Sequence, residues 1–144
     1  MRPAPPLGPL LVCWLASAAA LASSDALLRE REVRGWDVVR EAPVHASDDR
    51  DLAEWGVRVK HVRHYARKLG SDIQVCSVEL WIFEDEGRAA AAAGGFHYPD
   101  WRIDRVGASL VMLHGSIRHR GGGGERGVFP DCEALGARVR DRAG

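Results

Sequence analysis

Residues 73–114, IQVCSVELWIFEDEGRAAAAAGGFHYPDWRIDRVGASLVMLH, carry the clearest structural pattern in the chain. Residues 73–83 are rich in the β-branched and aromatic side chains that favour strands. The even positions from Cys76 to Ile82 are all apolar, whereas Ser77 and Glu79 interrupt the odd positions. We therefore expect a strand that is covered on one face and partly covered on the other.

The residues that follow predict a helix and then a hairpin. Acidic residues 84–86 suit a helix N-terminus, alanines 89–93 are strong helix formers, and Gly94-Gly95 end the helix. Residues 101–106 and 109–117 alternate in polarity about Gly107 and Ala108, which indicates a β-hairpin. The sequence therefore predicts an α+β fold: a small single domain with a largely antiparallel sheet, a strand–Ala-rich helix–β-hairpin core, and helices on one face.

The N-terminus has the features of a secretory signal peptide. Arg2 precedes an apolar run that ends in Ala20-Leu21-Ala22, which predicts cleavage between Ala22 and Ser23. An uncleaved membrane anchor is the alternative, but the apolar run is shorter than the ~20 residues that span a bilayer. We expect a secreted or periplasmic protein that contacts membrane only through this signal peptide, before cleavage.

The rest of the chain divides by composition. We predict a signal peptide at 1–22, an α+β domain at 23–117, a glycine-rich linker at 118–130, and a C-terminal helix or tail at 131–144. Within the domain, 23–34 reads as a helix and 36–39 as a short strand. Residues 51–69 fit either one helix with a single apolar stripe, or a short helix ended by Gly56 and followed by a strand.

Charge and cysteine count limit the class of protein. Twenty basic and twenty acidic side chains cancel, so no strong field favours nucleic acid. Of the three cysteines, Cys13 would leave with the signal peptide, and Cys76 and Cys132 would remain in a compartment where disulfides persist. A Cys76–Cys132 disulfide is one expectation, and two free thiols are the other.

Two kinds of chemical site are compatible with the sequence, and neither has a strong motif. Glu79, or Cys76, together with a histidine such as His114 or His64 would suit a hydrolase or transferase. His61 and His64 would be neighbours on a helix and could bind a metal, but on a strand they would face opposite ways. No cofactor is expected, because the glycines of 122–127 match a dinucleotide fingerprint in letters only and no helix follows them directly.

Tryptophan suggests a binding surface. If Trp81 and Phe83 share an uncovered sheet face with Val75, they form an apolar patch for a protein partner or an apolar ligand, and core packing is the alternative. No set of titratable groups converges on any loop. The sequence therefore favours a non-catalytic binding or assembly module, with the hydrolase or transferase and the histidine metal-binding protein as alternatives.

Overall fold

Two long strands joined by a tight turn form the middle of the sheet. The structure is a computed structural model and describes residues 25–144. The turn contains Gly70, whose φ of 62° lies in the left-handed region that glycine adopts without strain. In chain order the strands are β1 (Asp37–Arg40), β2 (Val44–His45), β3 (Val57–Leu69), β4 (Asp72–Phe83), β5 (Trp101–Val106), β6 (Ser109–Arg118) and β7 (Gly124–Arg126).

The seven strands of residues 25–144 all pair antiparallel, and five of them follow the order β1-β3-β4-β6-β5 across the sheet. The sheet is widened on each side by two short strands placed end to end. Strands β1 and β2 both pair with β3, and β5 and β7 both pair with β6. The structure therefore confirms an α+β domain with a large antiparallel sheet. The predicted hairpin at Gly107 is present as β5 and β6.

In the described part of the chain three α-helices pack on the sheet: α1 (Arg50–Trp55), α2 (Glu86–Gly95) and α3 (Pro130–Ala143). Asp49 caps α1 by accepting hydrogen bonds from two backbone N–H groups, and Gly56 ends it with a φ of 77°. Asp85 caps α2 by accepting from the N–H of Arg88 at 2.7 Å. The short-helix interpretation of residues 51–69 is therefore correct, because Gly56 stops the helix and β3 begins at the next residue.

The helices cover both faces of the sheet, whereas we expected them on one. Helix α3 and residues 26–33 cover a first core that contains the even, apolar positions of β4. Helices α1 and α2 cover a second core around Phe83, Leu110 and Met112. The difference arises because Phe83, on the odd face of β4, extends that face into an apolar surface large enough to bury against a helix.

The segment at 25–34 is not the helix predicted for 23–34. It forms turns and one 3-10 turn, Glu30–Glu32, while Leu27 and Leu28 are buried. The carbonyl of Leu28 accepts hydrogen bonds from Arg63 and Tyr65, and that of Leu27 accepts from Arg63. Side chains of β3 thus satisfy the carbonyls that a helix would have bonded to its own backbone.

The C-terminal part is tied to the sheet. Cys76 of β4 and Cys132 of α3 form a disulfide with a Cα–Cα distance of 5.4 Å, within the range that the bond requires. The segment predicted as a linker, 118–130, contains β7, so it is not wholly irregular. In residues 25–144 no helix is long and apolar enough to cross a bilayer. The predicted cleavage site between Ala22 and Ser23 lies outside the described residues.

Candidate functional site

A line of side chains crosses the sheet on the face opposite α3. His64 of β3 lies opposite Ser77 of β4, Ser77 opposite His114 of β6, and His114 opposite Trp101 of β5. We call these four residues the histidine row. Ser77 is buried, whereas the two histidine side chains each keep 28% of their surface exposed. Sheet register, rather than any sequence motif, brings these groups together.

His114 is held by a buried carboxylate. Its Nε2 lies 3.1 Å from Oε2 of Glu79, and the indole N–H of Trp81 donates to the other oxygen, Oε1, at 3.1 Å. Burial alone would raise the pKa of Glu79, but the hydrogen bonds from His114 and Trp81, with the charge of Lys60, hold that pKa below its usual value. Glu79 is therefore an ionised acceptor that fixes the orientation of the His114 ring.

His64 joins a serine to a second carboxylate. Its Nδ1 lies 2.7 Å from Oγ of Ser77, and its Nε2 lies 2.9 Å from Oε1 of Glu41. These contacts resemble the relay of a serine hydrolase. However, Ser77 is only 5% exposed and lies in the middle of β4. Strand β4 pairs with β3 on one side and with β6 on the other, so the backbone N–H groups around Ser77 are already hydrogen-bonded within the sheet. Without access or local N–H donors for an oxyanion, this relay does not support acyl transfer.

A cleft opens at the end of the histidine row, in a notch in the sheet edge. Strand β5 pairs with β6 as far as His114, and β7 begins to pair at Ser116. The cleft left between them has a volume of about 380 Å³ and is lined by Asp100, Trp101, His114, Gly115, Ser116 and Arg126. It therefore combines an aromatic wall with several polar groups, as ligand sites commonly do.

Glycine is required at the base of this notch. A Cβ at Gly115 would lie 2.7 Å from the carbonyl oxygen of Gly127 and 3.1 Å from the sulfur of Cys132. The N–H of Gly127 also donates to the carbonyl of Gly115 at 3.1 Å. The close approach of these two backbones therefore brings the chain from β7 towards the disulfide and positions Arg126 at the wall of the cleft.

Stacked rings lead from the surface to the cleft. Trp55 lies 4.5 Å from Phe96, Phe96 5.7 Å from Tyr98, and Tyr98 4.8 Å from Trp101, measured between ring centroids. Trp101 in turn stacks on His114 at 4.0 Å. We call Trp55, Phe96, Tyr98 and Trp101 the aromatic strip. No sequence prediction includes this strip, although the aromatic spacing in FHYPDW, residues 96–101, is a signal that could have revealed it.

The predicted Val75, Trp81 and Phe83 patch is not a continuous exposed surface. Phe83 is 2% exposed and packs in the second core. Trp81 is partly covered, because Phe96 contacts it edge-on at 5.3 Å and the ammonium of Lys60 lies 5.6 Å from its ring centroid. Val75 remains partly exposed. The exposed aromatic surface lies instead on the aromatic strip, where Trp55 and Tyr98 are exposed.

The remaining sequence candidates are separated by the fold. Cys76 is in the disulfide, so it is not a free thiol that could act as a nucleophile. His61 and His64 lie on β3 and face opposite sides of the sheet, and burial lowers the pKa of His61. In residues 25–144 no group of three histidine, cysteine or carboxylate side chains could hold a metal ion.

Comparison of the chain with protein families, curated proteins and solved structures finds no match. Function is therefore inferred from the geometry of residues 25–144, above all from the cleft and the groups around it. Among the residues singled out in the sequence, Glu79 and His114 are brought together, and His114 lines the cleft.

Proposed function

We propose that this protein is an exported, disulfide-stabilised binding module that holds a small ligand in the cleft beside His114. The observation that carries the proposal is the cleft itself, with an aromatic wall, Trp101, and four polar side chains, Asp100, His114, Ser116 and Arg126. Its volume of about 380 Å³ is at the lower end of the range for ligand pockets, which suits a ligand built on a single ring.

Export is supported by two independent features. The N-terminal sequence has the basic start, apolar run and Ala-x-Ala end of a signal peptide. The disulfide between Cys76 and Cys132 fits an oxidising compartment, since reducing compartments rarely allow such bonds to persist. We propose that cleavage between Ala22 and Ser23 releases the mature chain into a secreted or periplasmic location.

Binding is favoured over chemistry by what surrounds the cleft. Cys76 is oxidised and Ser77 is buried in the central strand, so neither serves as a nucleophile. The carboxylate of Glu79 already accepts hydrogen bonds from two partners and stays ionised. A fixed histidine at the end of stacked rings is a suitable wall for a planar ligand.

The experiment is a fragment screen followed by heteronuclear NMR on the mature chain. Ligands that bind in the cleft should shift the indole N–H of Trp101 and the amides of Gly115 and Ser116. Trp36 is the internal control, because it packs against the first core with Arg67 over its ring and does not line the cleft. Hits that cluster at Trp36 or elsewhere, with Trp101 unmoved, would refute the proposal.

A second candidate function is a hydrolase that uses His114 as general base, and the Glu79–His114 contact is the observation that favours it. In this reading His114 would take a proton from a water molecule attacking a substrate carbonyl. Glu79, as a positioning residue, would orient the ring and stabilise the imidazolium that forms. The exposed 28% of the His114 side chain gives such a water access.

Hydrolysis of p-nitrophenyl acetate tests this candidate. Replacing a general base should lower the rate about 100-fold or more, so His114→Gln should have that effect. His119→Gln is the matched control, because His119 also pairs with a carboxylate, Asp72, at 3.1 Å, and is exposed. Equal rates of hydrolysis in the two variants would rule out a hydrolase that uses His114. Glu79→Gln should change the acid limb of the pH–rate profile if Glu79 acts through His114.

A further inference from the structure

We propose that the ligand of this cleft is a planar organic monocarboxylate whose carboxylate group binds Arg126. This inference rests on the proposed binding function and deepens it by naming the ligand class. Arg126 lies in β7 opposite Ser116 of β6, so a guanidinium and a hydroxyl donor stand on one wall of the cleft. A guanidinium presents paired N–H donors in a geometry that matches a carboxylate.

Arg126 is available for such a ligand. Within residues 25–144 it makes no ion pair and no side-chain hydrogen bond, and it is exposed. By contrast, Arg102 and Arg140, on the other face of this sheet edge, are both paired with Asp104. An arginine without a protein partner, placed at the wall of a cleft, retains its full capacity to pair with a ligand anion.

The other walls limit the ligand further. Because Tyr98 and His114 pack against the two faces of the Trp101 ring, Trp101 presents an apolar edge to the cleft, which suits an edge-to-face contact with a planar ring attached to the carboxylate. Asp100, also in the lining, would repel a second negative charge on the ligand. The combination selects a monoanion with its charge towards Arg126 and its ring towards Trp101, and it disfavours dianions and cations without an anionic group.

Three probes that share one benzene ring separate these contributions: benzoate is an anion, benzamide is its neutral planar isostere, and benzylamine is a cation. Titration of the mature chain, followed at the Trp101 indole, should show that benzoate binds at least 10-fold more tightly than the other two. Arg126→Gln should weaken the binding of benzoate at least 10-fold and leave the binding of benzamide unchanged. Arg120→Gln is the control, since Arg120 is exposed on the adjacent turn and does not line the cleft.

The outcomes separate this inference from the proposed function. If benzamide or benzylamine binds at Trp101 as tightly as benzoate, or if Arg126→Gln has no effect on benzoate, the carboxylate inference is overturned while a cleft that binds ligands remains. If none of the three probes binds, the inference is also overturned. The fragment screen then decides the binding function, which fails if Trp101 stays unmoved there as well. If Arg126→Gln and Arg120→Gln weaken benzoate binding equally, the effect is a general one of net charge, and the carboxylate inference is overturned.

Discussion

Loss of the Cys76–Cys132 disulfide should remove a large part of the stability of this domain. The bond closes a loop with a sequence separation of 56 residues. The chain-entropy relation for a loop of that length gives about 4 kcal/mol at 25 °C. For a domain of this size, that loss corresponds to a fall of about 15 °C in Tm. Both cysteines are fully buried, so each truncation to alanine adds its own packing cost of about 1 kcal/mol.

A double-mutant cycle isolates the crosslink from these packing costs. Cys76→Ala and Cys132→Ala each remove the bond and one sulfur, whereas the double variant removes the bond once and both sulfurs. The two single costs should therefore sum to about 4 kcal/mol more than the cost of the double variant. Urea unfolding of mature protein produced under oxidising conditions gives the three free energies. Where a variant is unfolded without urea, trimethylamine oxide restores a measurable transition.

The result that would refute this reasoning is additivity. If the single costs sum to the double cost within about 0.5 kcal/mol, the cysteines contribute by packing alone. Thiol labelling of the denatured, unreduced wild type is the accompanying check, and it should find no free thiol in the mature chain. Two free thiols would show that the mature chain has no disulfide.

Three further substitutions have definite expected results. Gly115→Ala should destabilise the fold by about 1–3 kcal/mol, measured by urea unfolding, because its Cβ would clash with the carbonyl of Gly127. Tyr65→Phe should cost about 1 kcal/mol, since it removes the buried hydrogen bond to the carbonyl of Leu28; a neutral effect would contradict the role given to that bond. Because the pKa of Glu79 is lowered, its stabilisation is present at neutral pH and lost as pH falls below 4.5. The difference in free energy of unfolding between wild type and Glu79→Gln should therefore narrow in acid, and a constant difference would contradict the pKa direction.

The parts of the fold that were predictable have local signals. Alternating polarity identifies β4 and the hairpin of β5 and β6, and the acidic start, alanine run and glycines define α2. Residues 57–69 remained open because their apolar spacing fits both a helix and a strand. The deciding feature, the left-handed conformation of Gly56, is a matter of backbone geometry that the amino-acid pattern alone does not fix.

The parts that were missed depend on distant contacts. Residues 25–34 carry a helical pattern, yet Arg63 and Tyr65 bind the carbonyls of that segment from more than thirty positions away. Strand β7 forms within a glycine-rich run because it can pair with β6. The strand propensity of its own residues does not predict it. The cleft exists only because β5 and β7 pair with β6 on either side of Gly115. Such a notch is a property of sheet register, which sequence spacing does not encode.

A crystal of the mature protein soaked with a bromine-labelled benzoate would locate the ligand by the anomalous signal of bromine. The structure predicts a single peak in the cleft, with the carboxylate against Arg126 and the ring beside Trp101. A peak on the exposed aromatic strip at Trp55 or Tyr98, with the cleft empty, would contradict the assignment of this cleft as the binding site.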